Sequence, residues 1–306
     1  MKETQQSSLS DFINLSQPQA LLVGALFYAL GGGIVNYLGQ SINWTTYWLG
    51  QACVTMLQLS SFYLKAVYDL PIGENRPPII KPILADKDGR ESTYSRSVLL
   101  MLSTTTLTIG AVITVLLFAN GSLNTSSLLM IGLAFLVSFF YAVPPFRLVY
   151  SGYGELALSF LMANIIPALA FLLQVGNLHR LLAMITFPIT ALYLAMLLAL
   201  SLEGYASDEK YSRKTSMVRL GWQRGMNLHN LLILFGFLLF GLAAVLGLPW
   251  PLTWPALLGL PLGLFQIWQM SLIASGAKPH WRLLSLNAVA TVVLTAYLVT
   301  FTLWTH

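Results

Sequence analysis

Nine stretches of mostly apolar residues run through the chain, at about 17–38, 43–66, 97–118, 124–144, 153–176, 180–202, 226–248, 250–273 and 283–304. A helix needs about 20 such residues to cross the hydrocarbon core of a bilayer, where its backbone must satisfy its own hydrogen bonds. Composition agrees: the 306 residues are 56% hydrophobic and 9% charged, against about 25% charged in an ordinary soluble domain. Several connections are minimal, such as NGSLNTS at 120–126 and LPWP at 248–251, which forces neighbouring helices to run antiparallel. The expected fold is all-α: one nine-helix transmembrane bundle over 17–306, around a central cavity. A polar arm, 1–16, precedes it and lacks the apolar core of a cleaved signal peptide.

Charge sets the expected orientation. With the N-terminus inside, the inner connections and inner helix ends hold every Lys and Arg except Arg180, and every Asp and Glu. The positive-inside rule therefore places the N-terminus in the cytoplasm and the C-terminus outside. Trp44, Trp48, Trp250 and Trp254 fall at the opposite ends of their spans, where interfacial anchors belong. The basic residues behind the net charge of +5 sit between apolar spans, which argues against nucleic acid and for membrane lipid headgroups.

The middles of the spans are nearly free of ionisable groups, unlike those of an ion-coupled transporter. Their polar residues, Asn36, Gln58, Asn164, Asn227, Gln266 and Asn287, are expected to bond to neighbouring helices. Other chemical motifs are missing. The lone cysteine, Cys53, precludes an intramolecular disulfide, and His179, His229, His280 and His306 lack metal spacing. GYGELA at 152–157 lacks the third glycine of a dinucleotide fingerprint and the strand before it. GGG at 31–33 reads as a close helix-packing site. Glu155, opening the fifth span, suits a helix N-terminus as well as a site. The chemistry belongs on the charged rim.

Two long charged connections form that rim, 65–96 and 203–225, with YAVPPFRLVYSGYGELALSF (141–160) between them. The YxxPPxRL stretch followed by GxGE resembles the mid-chain signature of the UbiA-type membrane prenyltransferases. RKTSMVRLG (213–221) is similar to the close of that family's second acidic motif, and NRPP (75–78) to the Arg-Pro step after its first. The likeness covers nearly the whole chain, with its sharp motifs confined to about fifty residues.

The resemblance implies transfer of a prenyl chain from a polyprenyl diphosphate to an aromatic or tetrapyrrole-like acceptor in quinone, chlorophyll or related lipid synthesis. It also implies Mg²⁺ held between two Asp-rich motifs. Its site residues would be Asp69 and Asp208 as catalytic and metal-binding carboxylates, with Glu203 as a further metal ligand. Lys65, Arg76, Arg147, Lys210, Arg213 and Lys214 would meet the diphosphate. Diphosphate leaves only if its developing charge is met by metal or by Lys and Arg.

The sequence departs from the family pattern in both motifs. Aligned on the Arg-Pro step, Ser61, Phe62 and Lys65 stand where the family has Asn, Asp and Asp, and Asp69 falls at the last Asp. A second alignment puts Asp69 in mid-motif with Glu74 or Asn75 trailing. In the second motif Asp208 is the last acid, and Gly204 replaces an earlier Asp beside Glu203. At an effective dielectric of about 20, unit charges 4 Å apart interact by roughly 4 kcal/mol, so a lysine in place of a ligand turns attraction for a cation into comparable repulsion. Two further readings follow: a UbiA-type terpene cyclase, or a non-catalytic subunit that binds an isoprenoid, quinone or pigment in a larger membrane complex.

Overall fold

The computed structural model describes residues 15–69 and 96–306. Long helices dominate: α1 (Pro18–Tyr37), α2 (Trp44–Asp69), α3 (Arg96–Ala119), α4 (Thr125–Ala142), α5 (Gly154–Val175) and α6 (Arg180–Leu202). Two short helices follow, α7 (Tyr205–Lys210) and α8 (Ser216–Leu220). The chain continues in α9 (Trp222–Val245), α10 (Trp250–Leu257), α11 (Leu260–Ala274) and α12 (Trp281–Thr305). Taking α10 and α11 as one segment, eight helices among the described residues are long and apolar enough to span a bilayer. The remaining long helix, α2, has the length, at 26 residues, but carries Gln51, Gln58, Lys65, Asp69 and several hydroxyls. The protein is an all-α, multi-pass membrane protein.

Packing joins neighbours in the chain and helices far apart in it. α2 lies against α3 and α4, while α6 lies against α9 and α12; α1 and α5 join these groups, with α1 touching α2, α5 and α12. The α1–α5 approach is close because of Gly31: a Cβ there would lie 2.2 Å from the Pro167 carbonyl oxygen and 2.8 Å from Ala170 Cβ. Small residues at such crossings let backbones meet where no hydrophobic effect drives association. The outer faces stay apolar, with Phe118, Leu129, Leu231 and Leu238 all exposed.

Polar groups inside the bundle pair between helices. Asn36 Nδ2 donates to the Leu303 and Trp304 carbonyls at 3.2 and 3.3 Å, tying α1 to the end of α12. Asn287 Nδ2 donates to the Leu262 carbonyl at 3.1 Å and to Gln269 Oε1 at 3.2 Å. Thr291 donates to Gln266 Oε1 at 3.4 Å. Asn164 accepts from Thr186 Oγ1 at 2.8 Å and donates to Thr190, both on α6. It sits in a π-helical turn, Leu161–Ile165, that interrupts α5. Asn227 is exposed instead. Trp44, Trp48, Trp250 and Trp254 are exposed, as anchors should be, and Trp44 stacks on Trp304 at 6.0 Å.

Candidate functional site

The charged end of the bundle is built first from α2. This helix continues to Asp69, three residues past the expected end of the second span. Lys65 and Asp69, four apart, therefore share one helix face. Opposite, α4 stops where Pro144 follows Val143, which takes the extended conformation (φ −97, ψ 133) usual before proline. The turn brings Arg147 to φ 37, ψ 60, a left-handed conformation uncommon outside glycine. Its guanidinium returns to α2, Nη2 donating to Asp69 Oδ1 at 2.6 Å and to the Tyr68 carbonyl at 2.8 Å. Tyr150 closes the arrangement, its hydroxyl donating to Asp69 Oδ2 at 3.2 Å. The Asp69 side chain is 2% exposed, so a charged partner is what permits its burial. Burial, then the neighbouring Asp69 charge, pushes the Tyr150 hydroxyl above its ordinary range.

The second wall is the 203–221 segment. Asp208 lies in α7, its N–H bonded to the Gly204 carbonyl at 2.9 Å. A Cβ on Gly204 would come within 3.4 Å of Asp208 Oδ2, so an acid at 204 would have faced Asp208 directly. Arg213 Nη1 stands 3.5 Å from Asp208 Oδ1, and its guanidinium lies over the Tyr211 ring at 5.4 Å. Burial raises the Asp208 carboxyl above its ordinary value; Arg213 pulls it down, with smaller opposing influences from Glu155 and Lys65. Arg213 also acts on Tyr150, so the Asp69 and Asp208 groups belong to one electrostatic cluster.

A latch holds the two walls together. Glu155, in the first turn of α5, accepts from the Ser216 N–H at 3.1 Å and from the Ser216 hydroxyl at 2.5 Å. Ser216 Oγ also reaches the Gly152 carbonyl at 3.1 Å, and Ser151 bridges to Lys214 through the backbone. Arg219 donates to the Ser151 carbonyl at 3.3 Å and stacks 4.1 Å from the Tyr153 ring centroid. Sequence reading left Glu155 either a helix-terminal or a site role; its tie to Ser216 is a contact across 61 residues that no local pattern announces.

Of the residues expected at the site, the structure gathers Lys65, Asp69, Arg147, Asp208 and Arg213. Lys210 and Lys214 are exposed on the same segment, with Lys210 Nζ 5.6 Å from the Tyr211 ring centroid. Glu203 is exposed at the C-terminal end of α6. Arg76 and Glu74 lie outside the described residues. Among the described residues no three His, Cys, Asp or Glu side chains converge as a metal ion would require. Asp69 already meets a guanidinium, Asp208 faces another, and Lys65 adds a charge beside them. The described residues alone form a donor set that does not suit a divalent cation, which wants several oxygen ligands.

No protein-family model matches the sequence, and no curated protein matches it. Solved structures do. A UbiA homologue from Archaeoglobus fulgidus, bound to GPP and Mg²⁺, is 16% identical with a TM-score of 0.63, over 94% of this chain and 99% of that one. The same homologue bound to Cd²⁺ gives a TM-score of 0.64 at 16% identity, over 97% and 100%. A digeranylgeranylglyceryl phosphate synthase gives 0.66 at 13% identity, over 98% of this chain and 100% of that chain. Likeness of this extent across both chains makes the architecture plain: the protein has the UbiA-type prenyltransferase fold.

Proposed function

We propose that the protein binds a prenyl diphosphate at its charged end and transfers the prenyl group to a lipid-soluble acceptor, an aromatic or tetrapyrrole-like hydroxyl compound. The charged end would face the cytoplasm, following the distribution of Lys and Arg. The observation that carries this reading is the tie between the 147–155 turn, whose Arg147 holds Asp69, and the 203–221 segment, which carries Asp208 and Arg213, made by Glu155 with Ser216 and by Ser151 with Lys214 and Arg219. In the transfer, the bond between the prenyl C1 and the diphosphate oxygen breaks and its electron pair leaves with the diphosphate, while an electron pair of the acceptor forms the new bond to C1 and the acceptor's proton passes to water. Lys65, Arg213 and the exposed Lys210 and Lys214 would meet that charge, which is the stabilisation this chemistry needs most. Asp208 would orient Arg213.

The test is incubation of the purified protein with radiolabelled prenyl diphosphates and a membrane extract, with and without Mg²⁺. A labelled lipid that forms only with extract supports transfer. Consumption of the diphosphate without an acceptor would indicate cyclisation instead. A second reading, a non-catalytic isoprenoid-binding subunit of a membrane complex, is favoured by the engagement of Asp69 with Arg147 and Tyr150. Tight binding of the diphosphate with no turnover would select it.

A further inference from the structure

The divalent cation that accompanies prenyl diphosphates in the structural neighbours has no evident place among the described residues here, and the site carries a different provision for negative charge. Arg147 is held in a left-handed conformation and uses Nη2 twice, while its Nε is buried without an acceptor. A buried N–H on a cation needs an oxygen to accept from it. A metal ion cannot supply that partner, whereas a phosphate oxygen can. Lys65 sits one turn before Asp69 on the same face of α2, so an ion held by Asp69 would meet a like charge. Among the described residues the central charges balance without metal: Lys65, Arg147 and Arg213 against Asp69, Asp208 and Glu155. On the same segment the exposed Lys210, Lys214 and Arg219 outweigh the exposed Glu203 and Glu209 by one positive charge, which an anion would use.

We propose that this site takes a diphosphate headgroup without a divalent cation, Arg147 and Lys65 doing the work of the metal. The proposal rests on the reading that this end of the bundle binds a prenyl diphosphate. Arg147 keeps Asp69 neutralised while offering Nε to a phosphate oxygen, and Lys65 acts as a point charge beside it. The site is then a basic cradle whose carboxylates orient its cations.

Equilibrium binding of tritiated geranyl diphosphate to the full chain in detergent, in EDTA and in Mg²⁺, tests this. The expected dissociation constants agree within about threefold in the two conditions, and Lys65→Ala weakens both by about tenfold. Lys65→Asp should weaken binding in EDTA and restore it with Mg²⁺, since it rebuilds an acid pair. Competition by inorganic diphosphate, but not by phosphatidylglycerol micelles, would assign the cradle to a diphosphate rather than to bilayer headgroups. Binding at least tenfold tighter with Mg²⁺, or unchanged in Lys65→Ala, overturns the inference and leaves the prenyl-diphosphate reading standing. No binding in either condition overturns that reading, and this inference with it.

Discussion

Asp69 and Asp208 occupy opposite walls of one charged cluster, and their surroundings differ in kind. The Asp69 side chain is 2% exposed and accepts at 2.6 Å from Arg147 and 3.2 Å from Tyr150. Asp208 is 16% exposed at the side chain and meets Arg213 only at 3.5 Å. The first pair is short, charge-assisted and enclosed, so it defines local structure. The second is long, with both side chains only partly exposed, so its weaker contact can change at less cost. One wall is fixed, and the other can respond to a ligand.

The largest effect should come from breaking the fixed wall. Arg147→Met leaves the Asp69 carboxylate buried with one neutral partner and should lower stability by about 3 kcal/mol, as loss of one member of a buried pair does. Arg213→Met should cost less, about 1 kcal/mol, because its contact with Asp208 is longer and weaker. Unfolding titrations with SDS in mixed micelles compare the two, and equal costs would erase the distinction. Adding Asp69→Asn to Arg147→Met should recover part of the loss.

The responsive wall should matter to chemistry. If labelled product forms in the transfer assay, Asp208→Asn should lower the rate by about 10²–10³, the usual cost of losing a charge-stabilising group. Glu209→Gln, next along the same helix but exposed and turned about 100° away, should stay within a few-fold of the parent. Equal mild effects would remove Asp208 from the reaction.

A smaller effect is expected at the latch. Ser216→Ala removes the 2.5 Å hydroxyl contact with Glu155 but keeps the backbone N–H at 3.1 Å, and should cost about 1–2 kcal/mol. The smallest concerns pH. Because the Asp208 carboxyl is raised in the folded protein, the folded state holds its proton to higher pH than the unfolded chain. Its stabilising contribution is complete below the ordinary aspartate value and is lost as pH rises through the raised one. Asp208→Asn should remove that slope from melting temperatures measured at mildly acid pH; an unchanged slope would assign it to other groups.

Much of this was legible in the sequence, and the rest was hidden for identifiable reasons. Long apolar segments report themselves, because each needs only its own residues to be recognised. The second span was harder: its polar residues blurred its end, which was placed at 66, whereas the helix runs to Asp69. That shift puts Lys65 and Asp69 on one face of a helix instead of in a loop. Charge type is readable, but not pairing: nothing in the sequence announces that Arg147 reaches Asp69 across 78 residues. Glu203 stood beside the second motif in sequence, yet lies exposed at the end of α6. Nothing in the local sequence sets these distances; the crossing of helices does.

The π-helical turn in α5 has a mechanical consequence. Glu155 before it must face Ser216, while Pro167 and Ala170 after it must face Gly31. Each helical residue advances the azimuth by about 100°, and a π turn inserts one step of phase without a break in the rod. The helix works as an offset shaft, keyed at one end to the charged loops and at the other to α1. Deleting one residue from Leu161–Ile165 would leave both keys in the chain but out of phase. Either the latch or the glycine crossing would then have to slip.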